Sequence, residues 1–490
     1  MGLRRYYATK DNTITNAYKP DLKTVATASN MGESDILEIF HIYAQASTSS
    51  QENSRILMQF DTTAILSDRQ AGLIPASGSV SYYLKLFNAK HSQTVPKGFT
   101  LVVAPISRSW DEGIGLDMEQ YRDEYASNWA SASEGVAWTS AGGDYLATPL
   151  FTQSFSTGLE DLEINVTQLV EDWLSSTTSN YGFGIYLTAS QEQSTTRSYY
   201  TKKFFARGTE FFFKKPTLEA RFNSTTKDDR GNFFYSSSLA SAAENLQTIY
   251  LYNRFKGTLR NIPSIGAGQI FVSLFSGSSG PTGSALTLVA DGVRVTSNSP
   301  TVVTGGWVST GVYTASFALT AASVSLETVY DVWHNGNLTT QFFTSSFSPK
   351  LYSAANTSEQ SKYIMKLTNL KSGYFPTENA RIRLYARPRN WYPSIYTVSQ
   401  DSPETTILPS ASYSVYRFAD ELEVIPFGTG STLHTLLDYD VSGNYFDLDM
   451  NMLEPDYAYG VAISVFNDYT NSWEIHPETF KFRVEKRQTE

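Results

Sequence analysis

Residues 79–87 read SVSYYLKLF, and every second side chain from Val80 to Leu86 is apolar. Neighbouring side chains of a β-strand point to opposite faces, so this period of two predicts a strand with one buried face. Similar runs, bounded by Gly, Pro, Asn or Ser, recur along the chain and predict many short antiparallel strands. The clearest of them are residues 54–60, 99–105, 181–187 and 209–213.

The composition also favours an all-β fold. The 490 residues include 31 Tyr, 29 Phe and 8 Trp, and only 18% are charged, against roughly 25% in ordinary soluble domains. Aromatic side chains fit the pleated, half-buried surface of a sheet, so this composition predicts stacked β-sheets. The formal net charge of −10 argues against nucleic acid as a partner, because phosphate binding needs a basic surface.

Cysteine is absent from the sequence. Its absence excludes disulfides, thiolate nucleophiles and Cys-ligated zinc or iron–sulfur centres. No apolar stretch follows Arg4 and Arg5, so we expect no secretory signal. No run approaches the ~18 uncharged apolar residues of a membrane span, so we expect no membrane partner.

Two helices are predicted among the strands. Thr167 is a favourable N-cap for residues 168–174, in which Leu169, Val170 and Trp173 share one helical face. A second short helix is predicted over residues 117–128, where apolar and aromatic side chains are spaced three and four apart.

Three modules are predicted, since a typical domain has about 150 residues. The polar stretch 223–229 predicts a linker after a first module of residues 1–222. Residues 223–351 and 352–490 then form the second and third modules. A Gly-x-Tyr strand followed by a second aromatic strand occurs in both, at 311–317 with 330–333 and at 443–449 with 459–462. This repeat resembles the paired last strands of immunoglobulin-like sandwiches, although such patterns also arise by chance in Tyr-rich β-proteins.

The histidines give no pattern typical of a metal site or a catalytic triad. No His-x-His or His-x-x-x-His spacing is present, and a site would need convergence of distant segments, so we expect packing or surface roles. The five are His41, His91, His334, His434 and His476.

Paired carboxylates matter because glycosidases place two of them across the bond they cleave. No motif supplies a partner for any pair here, so we expect solvated surface positions. On a strand, Asp447 and Asp449 would share one face, which could also hold a cation. The other pairs are Asp111-Glu112, Asp123-Glu124 and Glu160-Asp161.

Two loops, residues 110–113 and 142–144, combine carboxylates with carbonyl-rich turns, and calcium takes only oxygen ligands. The calcium-loop spacing D-x-[DN]-x-[DN]-G is absent, as are phosphate-binding glycine loops and the G-x-S-x-G nucleophile elbow. We therefore predict no catalytic, cofactor-binding or metal-binding residues and no cofactor, with calcium at these loops as the alternative. Trp391-Tyr392 and Tyr199-Tyr200 would suit a sugar-stacking platform, but we expect core or interface positions, where Tyr and Trp are also enriched.

Several motifs of the first module together carry a family resemblance. They are residues 11–14, 54–60, 106–112, 142–144, 164–174 (INVTQLVEDWL) and 180–185. The set resembles the DNRLRE/family-96 carbohydrate-binding β-sandwich superfamily. The resemblance implies a jelly-roll-like sandwich in which Trp173 packs the helix on the sheet.

A second resemblance extends over the whole chain. Residues 5–18 (RYYATKDNTITNAY), residues 418–426 (FADELEVIP) and residues 447–450 are similar to virion structural proteins of tailed bacteriophages, notably large contractile-tailed phages of marine bacteria. The resemblance implies a virion protein assembled in the host cytoplasm, at the neck, collar, tail or capsid exterior. Its partners would be other virion proteins and copies of itself.

The sequence thus predicts a jelly-roll-like β-sandwich with one or two short helices, followed by two immunoglobulin-like β-sandwich modules. The predicted function is non-enzymatic: a structural component of a tailed-phage virion that assembles in multiple copies through aromatic-rich interfaces. The alternative is a carbohydrate-binding adhesion protein of a virion or a bacterial surface, with a host-surface glycan as its partner. A polysaccharide depolymerase is a third hypothesis, and it requires two carboxylates about 5 to 9.5 Å apart in a cleft.

Overall fold

The computed structural model describes residues 2–92, 94–118, 122–289, 295–296, 299–320, 326–351, 362–392, 394–395 and 405–486. The chain is 44% strand and 7% helix, so the predicted all-β class is confirmed. No helix in these ranges is both long enough and apolar enough to cross a membrane. The chain divides into two compact units, residues 2–70 with 74–222, and residues 71–73 with 223–490.

The first unit is a jelly-roll-like sandwich. Its path of paired strands runs β8-β5-β10-β3-β1-β12-β4-β9, with β2 and β11 joined to it through β3. The strands are β1 Leu3–Thr15, β2 Ile36–Tyr43, β3 Gln51–Phe60, β4 Ser81–Leu86, β5 Phe99–Pro105, β6 Ser131–Ser133, β7 Val136–Ala137, β8 Phe151–Phe155, β9 Leu162–Asn165, β10 Phe183–Leu187, β11 Ser198–Phe205 and β12 Thr217–Arg221.

Strand β1 belongs to both layers of this sandwich. Residues 3–7 pair with β12 and residues 8–15 pair with β3, with a register shift between Ala8 and Lys10. At the two ends of the path, the side-chain amide of Gln153 on β8 donates to Asp161 O and accepts from Glu163 N, both over 2.8 Å. This amide bridges β8 and β9, so the path closes on itself around the apolar core.

The core of the first unit contains the alternating apolar residues of the predicted strands, among them Met58, Leu84 and Ile185. Four of the five predicted runs are strands. Residues 209–213 are not, because the chain turns there from β11 towards β12. A 3-10 helix covers Phe212–Lys214, and its phenylalanines pack edge to face on one another rather than in a sheet.

The described residues of the first unit contain three short α-helices: α1 Thr62–Gln70, α2 Thr167–Leu174 and α3 Ala189–Glu192. Helix α2 is the predicted one, and Trp173 packs it on the sheet with its ring centroid 4.8 Å from that of Phe183. Thr167 is the first helical residue rather than the N-cap, which is Val166. The Thr167 hydroxyl accepts from Tyr82 N over 2.8 Å and so ties the start of the helix to β4.

The helix predicted over residues 117–128 falls partly on residues 119–121, which lie outside the described residues. The described remainder of that stretch is turn, bend and coil, so the prediction is wrong there. Asp123 accepts from Ile114 N and Tyr125 N, and these bonds favour a loop over a continuous helix.

The second module has one continuous path of strands, β13-β20-β19-β16-β21-β22, with β17 on β20 and β18 on β19. Residues 303–305 of β19 pair with β16 and residues 306–309 pair with β20, so β19 connects both halves of the path. The strands are β13 Gln247–Tyr252, β14 Arg254–Phe255, β15 Thr258–Leu259, β16 Ile270–Ser276, β17 Leu288–Val289, β18 Val295–Thr296, β19 Ser299–Ser309, β20 Val312–Leu319, β21 Val329–His334 and β22 Gln341–Phe347.

The third module has two sheets, β23-β25-β29-β28 and β24-β31-β30-β26-β27. Tyr413 of one sheet stacks on Phe446 of the other with ring centroids 4.3 Å apart, which is the packing of a β-sandwich. The strands are β23 Tyr363–Leu367, β24 Gly373–Tyr374, β25 Asn379–Pro388, β26 Ala411–Arg417, β27 Leu422–Ile425, β28 Asp438–Asp440, β29 Gly443–Asp449, β30 Ala458–Asn467 and β31 Ser472–Val484. Residue 352, the predicted start of this module, lies outside the described residues.

The repeated Gly-x-Tyr pattern marks corresponding turns of the two modules. Gly311 and Gly443 have φ angles of 74° and 104°, which favour glycine because it lacks a Cβ. Each precedes a strand that carries a buried tyrosine, Tyr313 or Tyr445. The pairing implied by the repeat is wrong, since β20 does not pair with β21 and β29 does not pair with β30.

Candidate functional site

The motifs of the first module converge beneath the loops of residues 106–146. Trp110, Trp129 and Trp138 form a second apolar core with Ile14 and Leu57 on the sheet. The indole Nε1 of Trp110 donates to Tyr181 O over 2.9 Å, and that of Trp138 donates to Asn128 O over 2.8 Å. Buried indoles with satisfied N–H groups hold loops in place, so these tryptophans support structure rather than forming an open surface.

Arg55 lies at the centre of this region. Its Nε and Nη2 donate to both carboxylate oxygens of Glu192, over 2.9 and 2.6 Å, and its Nη1 donates to Gly142 O over 3.0 Å. The guanidinium also lies 5.3 Å from the Trp129 ring and 5.1 Å from the Tyr186 ring. All three directions of the guanidinium therefore bind protein groups, so Arg55 connects β3 to helix α3 and to the loop at Gly142.

Asp11 and Asn12 form a neighbouring polar cluster. Asp11 Oδ2 accepts from Arg207 N over 2.7 Å, and the Arg207 guanidinium binds Glu112 through two bonds of 2.6 and 2.8 Å. Burial raises the pKa of Asp11 to about 7. Asn12 donates to Ser127 O over 2.9 Å. Asp11, Asn12 and Glu112, which belong to the motifs that carry the family resemblance, thus cross-link the loops to the sheet in the interior.

In the two loops considered for calcium, Glu112 and Asp144 use their carboxylates on protein donors, whereas Asp111 is exposed. Glu112 binds Arg207, and Asp144 accepts from Thr139 N and Ser140 N over 2.9 and 3.0 Å. Burial opposes ionisation of Asp144, but the bonds from Thr139 and Ser140 outweigh it and lower the pKa of Asp144. Within the described ranges, no group of three or more His, Asp or Glu side chains is arranged to hold a metal ion.

The other carboxylate pairs do not form a cleft with opposed acids. Glu160 accepts from Ser156 N and Thr157 N, which lowers its pKa to about 2. Asp447 binds Arg381 through two bonds of 2.9 Å. The remaining members bind local groups: Asp161 accepts from Asn88 N, Asp123 from Ile114 N and Tyr125 N, and Asp449 from Asn451 N, while Glu124 pairs with Arg122.

The histidine rings contact local groups rather than one another. His41 lies between Asn53 Oδ1 and Ser194 O, at 2.8 and 2.9 Å. His334 Nδ1 accepts from Gly336 N over 3.0 Å, and burial lowers the pKa of His334 to about 4. The others lie near Thr432 Oγ1 (His434), near Tyr363 O (His476) and, half-buried, in the segment after β4 (His91).

A buried polar junction joins the second and third modules. Tyr439 N donates to Thr226 O over 3.1 Å, and Asp228 N donates to Tyr439 O over 3.0 Å, so β28 continues onto the segment that leads into the second module. Asp229 accepts from Tyr439 Oη and from Thr248 N, each over 2.7 Å. Backbone pairing and a buried carboxylate therefore fix the two modules to each other.

A buried ion pair lies beside this junction. Arg230 donates to Asp228 Oδ2 over 3.1 Å and to Asp331 Oδ2 over 2.8 Å, and Trp333 Nε1 donates to Asp331 Oδ2 over 2.8 Å. Burial raises the pKa of Asp228 to about 6, although Arg230 opposes the shift. A cavity of about 180 Å³ adjoins the junction, lined by Thr226, Tyr252, Val312, Arg381, Asp438 and Tyr445 among others.

An open groove of about 270 Å³ lies on the third module, between β23 and the β30–β31 hairpin. It is lined by polar and apolar side chains that include Tyr363, Arg389, Asn467, Glu474 and His476. Two exposed tyrosines follow its lining residues in sequence: Tyr392 is 89% exposed and Tyr469 is 78% exposed. A groove that combines polar and apolar lining residues could hold a ligand.

The aromatic pairs considered for sugar binding differ in their surroundings. Trp391 is half-buried, with the Arg387 guanidinium 5.4 Å from its ring, whereas Tyr392 is exposed. Tyr200 is half-buried on β11, and the side chain of Tyr199 lies outside the described residues. Tyr392 is therefore not a core residue, and the predicted interface position stays a prediction for it.

Comparison with known proteins gives no family. No family model and no curated protein matches the chain. Among solved structures, the chain is similar to the N-terminal Ig1-2 module of the Drosophila receptor protein tyrosine phosphatase DLAR, at 8% identity and a TM-score of 0.15, covering 49% of this chain and 90% of that one. Bovine butyrophilin follows at 11% identity, TM-score 0.12 and the same coverage. An activated alpha-2-macroglobulin from Escherichia coli has 8% identity and TM-score 0.15, covering 88% of this chain and 24% of that one. Scores this low establish no relationship, and the fold assignment rests on the sheets themselves.

Sequence reasoning did not identify the junction or the partner of Arg55. Asp229 and Tyr439 are 210 positions apart, and Arg55 and Glu192 are 137 apart. No spacing of residues within a short stretch of sequence indicates contacts between residues so far apart. The charged run 227–230 stands out in this charge-poor chain, but it overlaps the polar stretch 223–229 that predicts a linker.

Proposed function

We propose that this chain is a non-enzymatic structural component of a tailed-phage virion, at the neck, collar, tail or capsid exterior, present in multiple copies. The observation that carries the proposal is the junction at Asp229 and Tyr439. Rigid spacers need modules that cannot swing freely, and short linkers with buried contacts across the junction restrict such motion. The virion assignment itself comes from the sequence resemblance.

The use of the polar side chains supports a structural role. Arg55, Glu112 and Asp144 bind protein groups within the first unit, and Asp229 and Arg230 do so at the junction. A catalytic group instead needs to face a substrate within hydrogen-bond reach. Ion pairs and hydrogen bonds of this kind position loops and strands, so these five side chains are used within the protein.

Mass spectrometry of purified particles tests the proposal. Particles from a lysate of the producing culture are separated on a density gradient, and the particle fraction is compared with the soluble fraction of the same lysate. We expect the chain in the particle fraction at a fixed ratio to the major capsid protein. Enrichment in the soluble fraction only would refute the virion role.

Carbohydrate binding is the second candidate function, and the groove on the third module favours it. Exposed aromatic rings beside polar side chains stack on sugars while the polar groups bind hydroxyls. We expect Tyr392→Ala to weaken binding of a host-surface polysaccharide in calorimetry at least tenfold. Tyr125→Ala is the matched control, since Tyr125 is 69% exposed in the first unit. Equal binding by the wild type and both variants, or no binding at all, would contradict this candidate.

A further inference from the structure

Strand β22 is the last strand of the second module's path. It pairs with β21 through residues 341–347, and no strand of the described residues pairs with its other side. A strand in this position presents a row of backbone N–H and C=O groups that can pair with another chain.

The composition of β22 differs from that of the other edges. Its sequence QFFTSSF has no charged residue, proline or glycine and contains three phenylalanines. Phe343 is 40% exposed at this edge. Segments of seven residues with high β-propensity and no charge are those that pair most readily with further strands.

Several other edges in the described part of the chain are protected. Lys366 lies on β23, Glu423 on β27, and Glu474 and Pro477 on β31, and charges or proline on an edge oppose pairing. Strands β8 and β9 are bridged to each other by Gln153. The free edge of β13 is covered, since Asp229 accepts from Thr248 N and Gln247 binds both peptide groups of Phe234.

We propose that β22 is an assembly edge that pairs in antiparallel orientation with β22 of a second copy of this chain. A two-fold contact brings each residue close to the same few residues of the partner strand, so any charge would meet a like charge. β22 carries none. Pairing centred on Thr344 places Thr344 opposite itself, and Thr–Thr cross-strand pairs are favourable.

The inference rests on the multi-copy assembly in the proposed function and specifies its contact. Sedimentation velocity of the purified full chain, over a hundredfold range of concentration, measures the dimer. Thr344→Lys and Thr344→Glu are each expected to weaken dimerisation at least tenfold, because two like charges then face each other. An equimolar mixture of the two variants is expected to recover the dimer, since opposite charges then meet.

The control is Thr479→Lys, which adds the same charge to an exposed position on the protected edge β31. It is expected to sediment as the wild type does. If circular dichroism shows either Thr344 variant to be unfolded, Ser346→Lys and Ser346→Glu replace the pair, since Ser346 is exposed on the same strand.

A monomeric wild type would overturn the inference, as would variants that dimerise normally or a mixture that stays monomeric. None of these results bears on whether the chain occurs in virions. Presence in particles together with a monomeric purified chain would therefore reject the β22 contact alone. Absence from particles together with the charge-dependent dimer would reject the virion role alone.

Discussion

The phenolic oxygen of Tyr439 donates a hydrogen bond to Asp229 Oδ1 over 2.7 Å, across 210 positions of sequence. Tyr439 lies on β28 of the third module, and Asp229 lies in the segment that leads into β13 of the second. Burial raises the pKa of Asp229, so the carboxylate depends on its two donors, Tyr439 Oη and Thr248 N. These two hydrogen bonds to Asp229 therefore help to hold the junction together.

Tyr439→Phe is expected to loosen the junction. The substitution removes one of the two donors to Asp229, whose carboxylate is half-buried, and the loss of such a bond to a charged group costs about 1–3 kcal/mol. Hydrogen–deuterium exchange measures the effect, and we expect faster exchange at the amides of Asp228 and Tyr439, which bond across the junction. Tyr469→Phe is the control because Tyr469 is exposed, and equal exchange in the two variants would contradict the assigned role.

Glu219→Gln is expected to destabilise the first unit at neutral pH. Glu219 is fully buried on β12, where Arg5 Nε lies 2.9 Å and Arg221 Nη2 lies 2.6 Å from its carboxylate. Burial alone would raise the pKa of Glu219, but Arg5, Lys85 and Arg221 lower it to about 2. Removing the charge takes away the buried carboxylate that Arg5, Lys85 and Arg221 share, and the expected loss in free energy of unfolding is roughly 3–5 kcal/mol.

The pH dependence of this loss follows from the sign of the shift. The pKa of Glu219 in the folded chain lies below its ordinary value of 4.5. Its contribution is therefore fully present above about pH 4.5 and is lost as the pH falls towards 2. Denaturant titrations should show wild type and variant converging over that interval. Glu163→Gln is the control, since Glu163 contacts Arg221 from a side chain that is 41% exposed, and it should lower the free energy of unfolding by under about 1 kcal/mol. A stability difference between wild type and Glu219→Gln that stays constant at all pH values would contradict the charge argument.

Arg55→Lys is expected to lower the stability of the first unit although the charge is kept. Lysine cannot bind both oxygens of Glu192 and also reach Gly142 O, because those bonds need the planar guanidinium. We expect a loss of about 2 kcal/mol in the free energy of unfolding by denaturant. Arg122→Lys should change it by under about 0.5 kcal/mol, since its pair with Glu124 is exposed. The same small change at both positions would show that Arg55 does not cross-link the loops.

Gly184→Ala is expected to disrupt the same region through sterics alone. A Cβ at position 184 would lie 2.0 Å from Cε1 of Tyr145, whose hydroxyl donates to Gly142 O over 2.8 Å. The ring would have to move, and overpacking of this kind costs about 1–3 kcal/mol in thermal or denaturant unfolding. Gly306→Ala, where the added Cβ meets nothing within 4 Å, should leave stability close to that of the wild type. If Gly184→Ala left the stability unchanged, the Tyr145 ring would be able to move without a loss in free energy of unfolding.

Much of the fold could be predicted because its signals are local. The period-two run that contains Tyr82 and Leu84 identified β4, and the one-sided apolar face of residues 168–174 identified α2. The predictions failed where the chain changes direction. Residues 209–213 are aromatic enough for a strand, but they connect β11 to β12, and Asp123 bonds to neighbouring amides where a helix was expected.

The sequence by itself determined the class of this protein, since alternating apolar residues and abundant aromatics bury their surface well only in stacked sheets. It also indicated several of the strands, because side-chain alternation is a property of consecutive residues. Only the tertiary structure decided which charges meet. The partners of Arg55, Glu219 and Asp229, and the unprotected edge of β22, depend on strand order and register across more than a hundred residues. Their energies come from burial and from distances of about 3 Å that exist only after the sheets have assembled.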